Sequence, residues 1–520
     1  MHIRVRFAPS PTGNVHIGNI RTAIFDWLFA RHEKAKFLLR IEDTDRARST
    51  DEAIGTLLEC MEWLGLGYDE KELYQSAMLD SHKKAVEKFL SEGRAVRVGA
   101  EGDSPVLFLL PRDIISNPHI REKEKVQITV SSEFPVEIGR TGVKYGIPGK
   151  KGTVEQAASL AGFKGLKIYD ASGECIHDLE KEIEAIIREG KTIIVKNPAK
   201  LDFTRCEVFY HDIIKGELAK PLDSMKDFII QRSDGTPVFH LANVCDDITQ
   251  EISHIVRGDD HVENTYRHIF LFQALGAQVP KYAHLPMIVN QSGKPYSKRD
   301  GDAYVGDFRS KGFLPTAFFN YLALLGWSPG DDREKMTRQE IIDAFTLDRV
   351  KSSPAQFDMN KLQNLNGQYI AEMDPAKFAD DVRKVVIATD WGSSTDYGFF
   401  AKVASLMQSR TKLLAQALEW KYFFSDDFEM DKKAFEKIVL KDEIVAALGI
   451  LSRKFAEITE FNVENIGKTL RSSELEAGLA EGKLNQPLRL VVSGRSTGAG
   501  IAETVELLGK DKTLSRLANT

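Results

Sequence analysis

The sequence of 520 residues has few cysteines and no long apolar run. Its four cysteines stand far apart without a Cys-x-x-Cys pair, which excludes a disulfide scaffold and argues against a zinc site made of thiolates. The 38 glycines and 18 prolines are too few for collagen-like or low-complexity structure. No apolar run reaches the roughly 18 residues of a membrane span, and residues 1–6 lack the apolar core of a signal peptide. We therefore predict a cytoplasmic globular protein without membrane contact.

An excess of basic charge is also missing. The net charge is −6, which argues against a surface that is coated in basic residues for nucleic-acid binding. One local basic track does occur, because residues 140–151 carry four positive charges and no acid. This track suits either an RNA contact or a solvated loop. The P-loop, the Gly-x-Gly-x-x-Gly fingerprint and the His-Glu-x-x-His zinc motif are absent, so any nucleotide chemistry must use other residues.

The start of the chain has the pattern of a strand, a helix and a second strand. Apolar residues alternate with arginines over 3–7, apolar residues recur at helical spacing over about 16–31, and residues 37–41 form another apolar run. So short a unit implies parallel strands with a right-handed crossover. Ligands bind beyond the carboxyl ends of such strands. At those ends the chain carries Ser10, His16 and Glu42.

The composition and the hydrophobic pattern change twice along the rest of the chain. Residues 96–200 mix strand-like runs with Gly-rich turns, so we predict a separate α/β insertion there. Buried-sheet character resumes at Gln231, and helical patterns dominate beyond about residue 330. The predicted elements are strands over 106–110, 192–196, 252–256 and 285–290, and helices over 179–189, 262–275 and 399–418. The chain should therefore contain a parallel-sheet body, an insertion and a helical C-terminal part.

Two segments carry candidate nucleotide chemistry. His16 begins a helix directly after a parallel strand, and a helix N-terminus offers unpaired N–H groups and a positive dipole end to phosphate. Gly18 leaves room for a base or ribose against this helix. In the loop 296–301, Tyr-Ser-Lys-Arg-Asp-Gly, basic side chains can close over a triphosphate and stabilise a departing pyrophosphate. Taken singly, the histidine also suits a helix cap, and the loop also suits a solvated basic surface.

Together these segments resemble the HIGH and KMSKS signatures of class I aminoacyl-tRNA synthetases. Six further segments are similar to those of bacterial-type glutamyl-tRNA synthetases: Arg6-Phe-Ala-Pro-Ser-Pro-Thr-Gly13, Leu39-Arg-Ile-Glu-Asp-Thr-Asp45, Asp227-Phe-Ile-Ile-Gln-Arg-Ser-Asp-Gly235, His240-Leu-Ala-Asn-Val-Cys-Asp-Asp247, Val256-Arg-Gly-Asp-Asp-His261 and Asn320-Tyr-Leu-Ala-Leu-Leu-Gly-Trp-Ser-Pro-Gly330. The resemblance covers about 1–95 and 200–520. It implies a multidomain α/β protein with a Rossmann-like parallel-sheet catalytic domain and an all-α anticodon-binding region.

The resemblance also implies a domain order. The implied parts are a catalytic domain over 1–95 and 200–292, an inserted domain over 96–199 that binds the tRNA acceptor end, a stem-contact domain with the KMSKS-type loop over 293–374, and a helical anticodon-binding domain over 375–520. The insertion lacks the family's usual cysteine cluster, so we expect no zinc there. We expect a monomer that acts on tRNA(Glu), L-glutamate and ATP.

A glutamate site follows from the same resemblance. Arg6 and Arg257 would face the two carboxylates, with the side chain favoured at Arg6, because guanidinium binds carboxylate bidentately. Glu42 would receive the α-ammonium. A structural ion pair is the other role that stays open for Arg6 and Glu42. The remaining residues implied to bind glutamate are Ala8, Ser10, Phe239 and Asn243.

The resemblance implies ATP with Mg²⁺ as the second substrate. His16 would lie at the phosphates, Gly18 under the nucleoside and Asp260 near the ribose or base. Lys298 would neutralise the departing pyrophosphate, so His16 and Lys298 are the two residues implied in catalysis. The other ATP-binding residues implied in the loop are Ser297 and Arg299. No protein side chains are expected to form a metal site.

Departures from the family pattern leave alternatives open. Pro295 stands where KMSKS has its first lysine, with Lys294 one residue earlier, and Phe239 stands where a tyrosine is usual. Glutaminyl-tRNA synthetases differ at the Pro9-Ser-Pro-Thr-Gly13 motif and end in β-barrels, and the short glutamyl-Q enzyme lacks the C-terminal half. A catalytically inactive RNA-binding paralogue is the third alternative. Candidates for reading anticodon bases are Arg410, Trp420, Tyr422 and Phe423, with core packing favoured for most of them.

Overall fold

The computed structural model describes residues 2–11, 13–44, 49–99, 104–111 and 117–519. Thr12 and Asp45, which belong to the motifs above, lie outside these ranges. The chain forms two compact units, Met1–Val305 with Leu322–Phe357, and Gly306–Tyr321 with Asp358–Thr520. The predicted four-domain division stays a prediction. Within the described ranges, no helix is both long and apolar enough to cross a membrane.

The strands of the described residues belong to several sheets. In chain order they are β1 (Arg4–Phe7), β2 (Lys36–Ile41), β3 (Leu73–Tyr74), β4 (Ala95–Arg97), β5 (Val106–Phe108), β6 (Ile120–Thr129), β7 (Val136–Gly139), β8 (Gly142–Gly149), β9 (Gly152–Ala158), β10 (Lys164–Tyr169), β11 (Cys175–Asp178), β12 (Ile193–Val195), β13 (Lys200–Asp212), β14 (Gly216–Pro221), β15 (Phe228–Gln231), β16 (His254–Gly258), β17 (Lys281–Leu285), β18 (Ile288–Val289) and β19 (Ala355–Gln356). All of them lie in the first unit.

The α-helices are shared between the two units. In chain order they are α1 (Ile17–His32), α2 (Asp51–Trp63), α3 (Leu79–Ser91), α4 (Phe239–Thr249), α5 (Val262–Ala274), α6 (Val305–Ser310), α7 (Pro315–Leu324), α8 (Arg338–Ala344), α9 (Met359–Ala371), α10 (Pro375–Val386), α11 (Asp390–Ser394), α12 (Tyr397–Met407), α13 (Lys432–Ile438), α14 (Asp442–Glu457), α15 (Val463–Glu476), α16 (Asn485–Ser493), α17 (Ile501–Leu508) and α18 (Lys510–Ala518).

Parallel strands form the centre of the first unit. β1 pairs in parallel with β2, which pairs in parallel with β3, and β16 pairs in parallel with β17. β1 runs beside β16, and the Ser253 amide before β16 donates to the Arg4 carbonyl at 3.1 Å. α1 packs on β1, β2 and β16 through buried apolar residues at helical spacing. The βαβ unit that the sequence predicts is therefore confirmed, and the carboxyl ends of β1, β2 and β16 open on one edge.

The other elements predicted in this unit are confirmed with shifted bounds. The strands predicted over 106–110 and 192–196 are β5 and β12, and the helix predicted over 262–275 is α5. The strand predicted over 252–256 begins two residues later, as β16. The strand predicted over 285–290 is interrupted, because β17 ends at Leu285 and β18 covers only two residues.

The insertion, predicted as α/β, consists of strands. β13 pairs antiparallel with β6, β10 and β14, while β7, β8, β9 and β12 form a separate sheet. The helix predicted over 179–189 occurs in two pieces, a 3-10 turn, Leu179–Lys181, and a π-helical segment, Ala185–Glu189. Among the described residues of 104–199 no α-helix occurs. The basic track covers β8 and the turn of the β8–β9 hairpin, where Lys150 and Lys151 are exposed.

The second unit is helical around one apolar core. Trp420, Tyr422 and Phe423 are buried in that core, so the packing role predicted for these aromatics is confirmed. Arg410 is exposed. The unit therefore offers Arg410, rather than the three aromatic rings, to an outside ligand.

One helix of the second unit is shorter than its sequence pattern. α12 ends at Met407 and does not continue to residue 418. The next side chain, Gln408, is buried and donates through Nε2 to the carbonyls of Ile370 and Met373 at 2.9 and 2.8 Å. These contacts satisfy carbonyls at the end of α9, so the chain turns where the apolar pattern alone would continue the helix.

Candidate active site

A cavity of about 590 Å³ opens at the carboxyl ends of β1, β2 and β16. Of the residues predicted to bind the substrates, those that line it are Arg6, Ala8, Ser10, His16, Gly18, Glu42, Phe239, Asn243, Arg257 and Asp260. Ser297, Lys298 and Arg299 are not among the described residues that line it. Pro295 and Tyr296 of the same loop do line it. The fold thus brings residues from distant parts of the sequence to one concave surface.

The N-terminus of α1 faces this cavity. His16 is the N-cap residue, and its Nδ1 accepts a hydrogen bond from the Gly18 amide at 3.1 Å. Burial lowers the pKa of His16, so the imidazole is neutral at neutral pH and can accept in the cap. A Cβ atom at position 18 would lie 3.3 Å from His16 Nδ1, so glycine avoids a tight contact with the capping ring. His16 therefore caps the helix and lines the cavity at the same time.

The loop after β18 is bound to the same end of α1. Residues 15–17 bridge residues 303–305 through two backbone hydrogen bonds of 2.9 Å. The Tyr304 ring lies edge-on to the His16 ring, with the centroids 6.2 Å apart. Lys298 Nζ lies 5.6 Å from the centroid of the Tyr304 ring. Lys298 is therefore separated from His16 by one aromatic ring, although the two residues are 282 positions apart in the sequence.

Two buried arginines share one buried aspartate at the inner wall. Arg6 Nε donates to Asp247 Oδ1 at 2.9 Å, and Arg40 Nη1 donates to the same oxygen at 2.5 Å. Although burial opposes ionisation, the charges of Arg40 and Arg6 keep the pKa of Asp247 below its usual range. Glu42 Oε1 accepts from Arg40 at 3.2 Å and from Asn243 Nδ2 at 2.8 Å. Burial nevertheless raises the pKa of Glu42, so an arriving ammonium ion would stabilise its charged form.

Sequence reasoning gave Arg40 and Asp247 no role. The signal for Arg40 is its place inside the apolar run 37–41, because a charged residue in a buried strand must be paired. Asp247 follows Asp246 on α4, and both are buried. No periodicity shows which charges Asp247 meets, because its partners Arg6 and Arg40 come from β1 and β2.

A chain of hydrogen-bonded polar groups holds Arg257 in position. Its Nε donates to His284 Nε2 at 3.2 Å, and its Nη2 donates to Thr265 Oγ1 at 2.7 Å. His284 Nδ1 donates to Asp212 Oδ2 at 2.6 Å, which fixes Nε2 as the acceptor. Burial lowers the pKa of His284 to about 4, so the ring stays neutral. Asp212 and His284 were also missed, because nothing local in the sequence connects them to Arg257.

An apolar ring closes another side of the cavity. The Phe239 centroid lies 5.7 Å from the ring centroids of both His261 and His268. Without a hydroxyl group, this position offers packing and no hydrogen bond.

Asn243 Oδ1 is buried and has no partner among the described residues, so it remains available as an acceptor. The described part of the chain contains no group of three or more His, Cys, Asp or Glu side chains that could hold a metal ion.

Comparison with known proteins assigns the family. Residues 2–103 and 160–364 match the model of the catalytic domain of class I tRNA synthetases (E and Q). The chain belongs to this synthetase family. Residues 377–520 match the model of an anticodon binding domain, in agreement with the predicted helical C-terminal region. The catalytic-domain match of the synthetase is interrupted after residue 103 and resumes at residue 160.

The relatives of this synthetase cover its whole length. Glutamate–tRNA ligase 2 of Thermoanaerobacter pseudethanolicus is 33% identical over 517 residues, covering 99% of this chain and 97% of the relative. Glutamate–tRNA ligase of Thermodesulfovibrio yellowstonii is 35% identical over 519 residues, covering 99% and 98%. The crystal structure of a glutamate tRNA ligase from Elizabethkingia meningosepticum in complex with its amino acid has a TM-score of 0.68 at 25% identity, covering 100% of this chain and 99% of that one. The predicted class I multidomain fold is confirmed.

Proposed function

We propose that this synthetase is a glutamate–tRNA ligase, which joins L-glutamate to tRNA(Glu) at the expense of ATP. The observation that carries the proposal is that two arginines, Arg6 and Arg257, and the carboxylate of Glu42 line the same cavity. L-Glutamate has two carboxylates and one ammonium group, so its charges complement these three side chains. The names of the full-length relatives support the same substrate.

The free donors of the two arginines indicate how glutamate binds. Among the described residues, the Arg6 side chain makes a hydrogen bond only through Nε, so both of its Nη groups can bind a ligand. Arg257 already uses Nε and Nη2, which leaves Nη1. A bidentate pair with a carboxylate needs two free N–H groups in one plane. We therefore place the side-chain carboxylate at Arg6, the α-carboxylate near Arg257 and the α-ammonium at Glu42.

ATP is placed along the start of α1. His16 and the N-terminal amides of α1 meet the phosphates, Gly18 lies under the nucleoside, and Asp260 is near the ribose or base. Ser297, Lys298 and Arg299 approach from the loop, because Tyr304 already holds Lys298 Nζ near His16. Mg²⁺ enters with the triphosphate and neutralises part of its charge.

The reaction then proceeds in two steps. The glutamate α-carboxylate attacks the α-phosphorus of ATP, which forms glutamyl-adenylate and releases pyrophosphate. A ribose hydroxyl of the terminal tRNA adenosine next attacks the mixed anhydride, which forms glutamyl-tRNA and releases AMP. The protein holds the reacting atoms in line and stabilises charge on the leaving pyrophosphate. No general base is assigned, since AMP and pyrophosphate are good leaving groups.

The β8–β9 hairpin is the proposed contact for tRNA in the insertion. Reversing the charge of Lys150 and Lys151 to glutamate should weaken tRNA binding and reduce the slope of log K against log salt by about 1 to 2, because fewer counterions are released. Filter binding at several salt concentrations measures both quantities. Lys83→Glu with Lys84→Glu, an exposed pair on α3, is the control with the same charge change. Equal affinity and slope in the hairpin variant and the wild type would exclude this contact.

Charging of total bacterial tRNA tests the proposed function. Labelled glutamate and glutamine are supplied in parallel, with ATP and Mg²⁺. Attachment of glutamate and not glutamine is the expected result, because Arg6 has two free donors for a carboxylate. Attachment of glutamine alone would reverse the substrate assignment. Binding of tRNA without attachment of either amino acid would favour the inactive paralogue, to which Pro295 and Phe239 would then point.

A further inference from the structure

One buried carboxyl group of the cavity has no role in the site described so far. Asp26 on α1 is fully buried, and neither carboxyl oxygen has a hydrogen-bond partner among the described residues. Asp26 also lines the 590 Å³ cavity. Buried polar groups are nearly always paired in a folded protein. The missing partner of Asp26 therefore points to a ligand in the cavity.

Asp26 lies far from the phosphate end of the cavity. Gly18, Thr22 and Asp26 are spaced one helical turn apart on α1, and all three line the cavity. At a rise of 1.5 Å per residue, about 12 Å of helix separates Gly18 from Asp26. An amino acid whose α-carboxylate meets ATP at the start of α1 therefore extends its side chain towards Asp26.

The surroundings of Asp26 favour the uncharged form of its carboxyl group. Burial raises the pKa of Asp26 well above its usual range. Arg6 from β1 acts in the opposite direction with a smaller effect, and Asp247 from α4 raises the pKa further. Arg6 gives its Nε hydrogen bond to Asp247 and not to Asp26. The uncharged carboxyl keeps an O–H group, which is a strong donor towards a carboxylate.

We propose that Asp26, a buried and unpaired carboxyl in the wall of the cavity, is a specificity-determining residue that donates a hydrogen bond to the side-chain carboxylate of the bound amino acid beside Arg6. The inference rests on the proposed function and deepens it, because it names a second group that reads the side chain. Arg6 supplies the positive charge and Asp26 supplies a neutral donor. An ionised Asp26 would repel the same carboxylate, so its protonation is part of the selection.

Asp26→Leu and Asp26→Asn test this in the full-length enzyme, through glutamate-dependent exchange of pyrophosphate into ATP with tRNA present. Leucine has a similar size and no donor, so KM for glutamate should rise about 10- to 100-fold while KM for ATP stays within about twofold. Asparagine keeps an N–H donor at nearly the same position and should recover most of the loss. The split between the two KM values locates the effect at the amino acid.

Thermal unfolding separates this role from a structural one. Leucine removes a buried carboxyl that nothing bonds in the free protein, so the unfolding midpoint should rise although glutamate binding weakens. A carboxyl that only supported the fold would lower the midpoint when removed. Phe29→Leu, a buried residue on α1 outside the cavity, is the control and should leave KM for glutamate unchanged.

Infrared difference spectroscopy gives a second measurement that does not depend on the leucine variant. Glutamate binding to the wild type should shift the carbonyl band of a protonated carboxyl group, and the band should be missing in Asp26→Asn. An unchanged KM in Asp26→Leu, or no shifting band in the wild type, overturns this inference while glutamate activation stands. A wild-type enzyme that activates no glutamate overturns the proposed function, and this inference with it.

Discussion

Lys298→Ala is expected to slow formation of glutamyl-adenylate by about 100- to 1,000-fold, with KM for glutamate changed less than about threefold. The reason is geometric, because Lys298 is an exposed cation that lies 5.6 Å from the Tyr304 ring, next to His16. Charge builds up on the pyrophosphate as it leaves, so a cation at this place stabilises the transition state more than the bound substrates. Single-turnover measurement of AMP and pyrophosphate, with tRNA present, gives the rate of this step.

A lysine elsewhere on the surface provides the control for Lys298. Lys83 on α3 is exposed, and its replacement by alanine removes the same charge without touching the cavity. The Lys83→Ala rate should match the wild type. If Lys298→Ala also formed the adenylate at the wild-type rate, the loop would have no part in the chemistry. The presence of Pro295 in place of the family's first KMSKS lysine would then explain why the loop does not act in the reaction.

Arg6→Ala is expected to raise KM for glutamate by more than about 100-fold, because it removes both free Nη donors from the cavity. It should also lower the free energy of unfolding by about 3 kcal/mol, since Asp247 stays buried and loses one of two guanidinium partners. Kinetics measured well below the unfolding transition and urea unfolding report the two effects separately. KM for ATP should change little, because Arg6 lies at the amino acid end.

Arg4 lies two residues away on the same strand and gives a matched comparison. Its guanidinium pairs with Glu70 at 2.8 Å, and the Glu70 side chain is 37% exposed. Arg4→Ala should cost only about 1 kcal/mol, because partly exposed ion pairs contribute little, and KM for glutamate should not change. If Arg4→Ala lost as much glutamate binding as Arg6→Ala, Arg6 would affect binding by stabilising the fold and not by contacting glutamate.

Local patterns predicted the elements whose neighbours are also close in sequence. β1, α1 and β2 follow from alternation and helical spacing within the first 41 residues, and their parallel pairing follows from the short crossover. The insertion was harder, because β6 carries five consecutive charged residues, Arg121 to Lys125, which hide its apolar face in the sequence. Its pairing with β13 gives those charges partners, such as Arg205 Nη1 with Glu124 Oε1 at 2.9 Å. Such pairs cannot be predicted from a sequence pattern, because the two residues are far apart in the chain.

The sequence by itself determined the family resemblance, the parallel-sheet start and the charged residues suited to glutamate and ATP. Only the tertiary structure decided which of these groups are already bonded, because burial and hydrogen bonding depend on residues that are hundreds of positions apart. Asp247 accepts the Nε hydrogen bond of Arg6, and His284, which is itself bonded to Asp212, accepts the Nε hydrogen bond of Arg257. Asp26 looks in the sequence like any helix aspartate, and only the packing of α1 shows that it has lost water without gaining a partner.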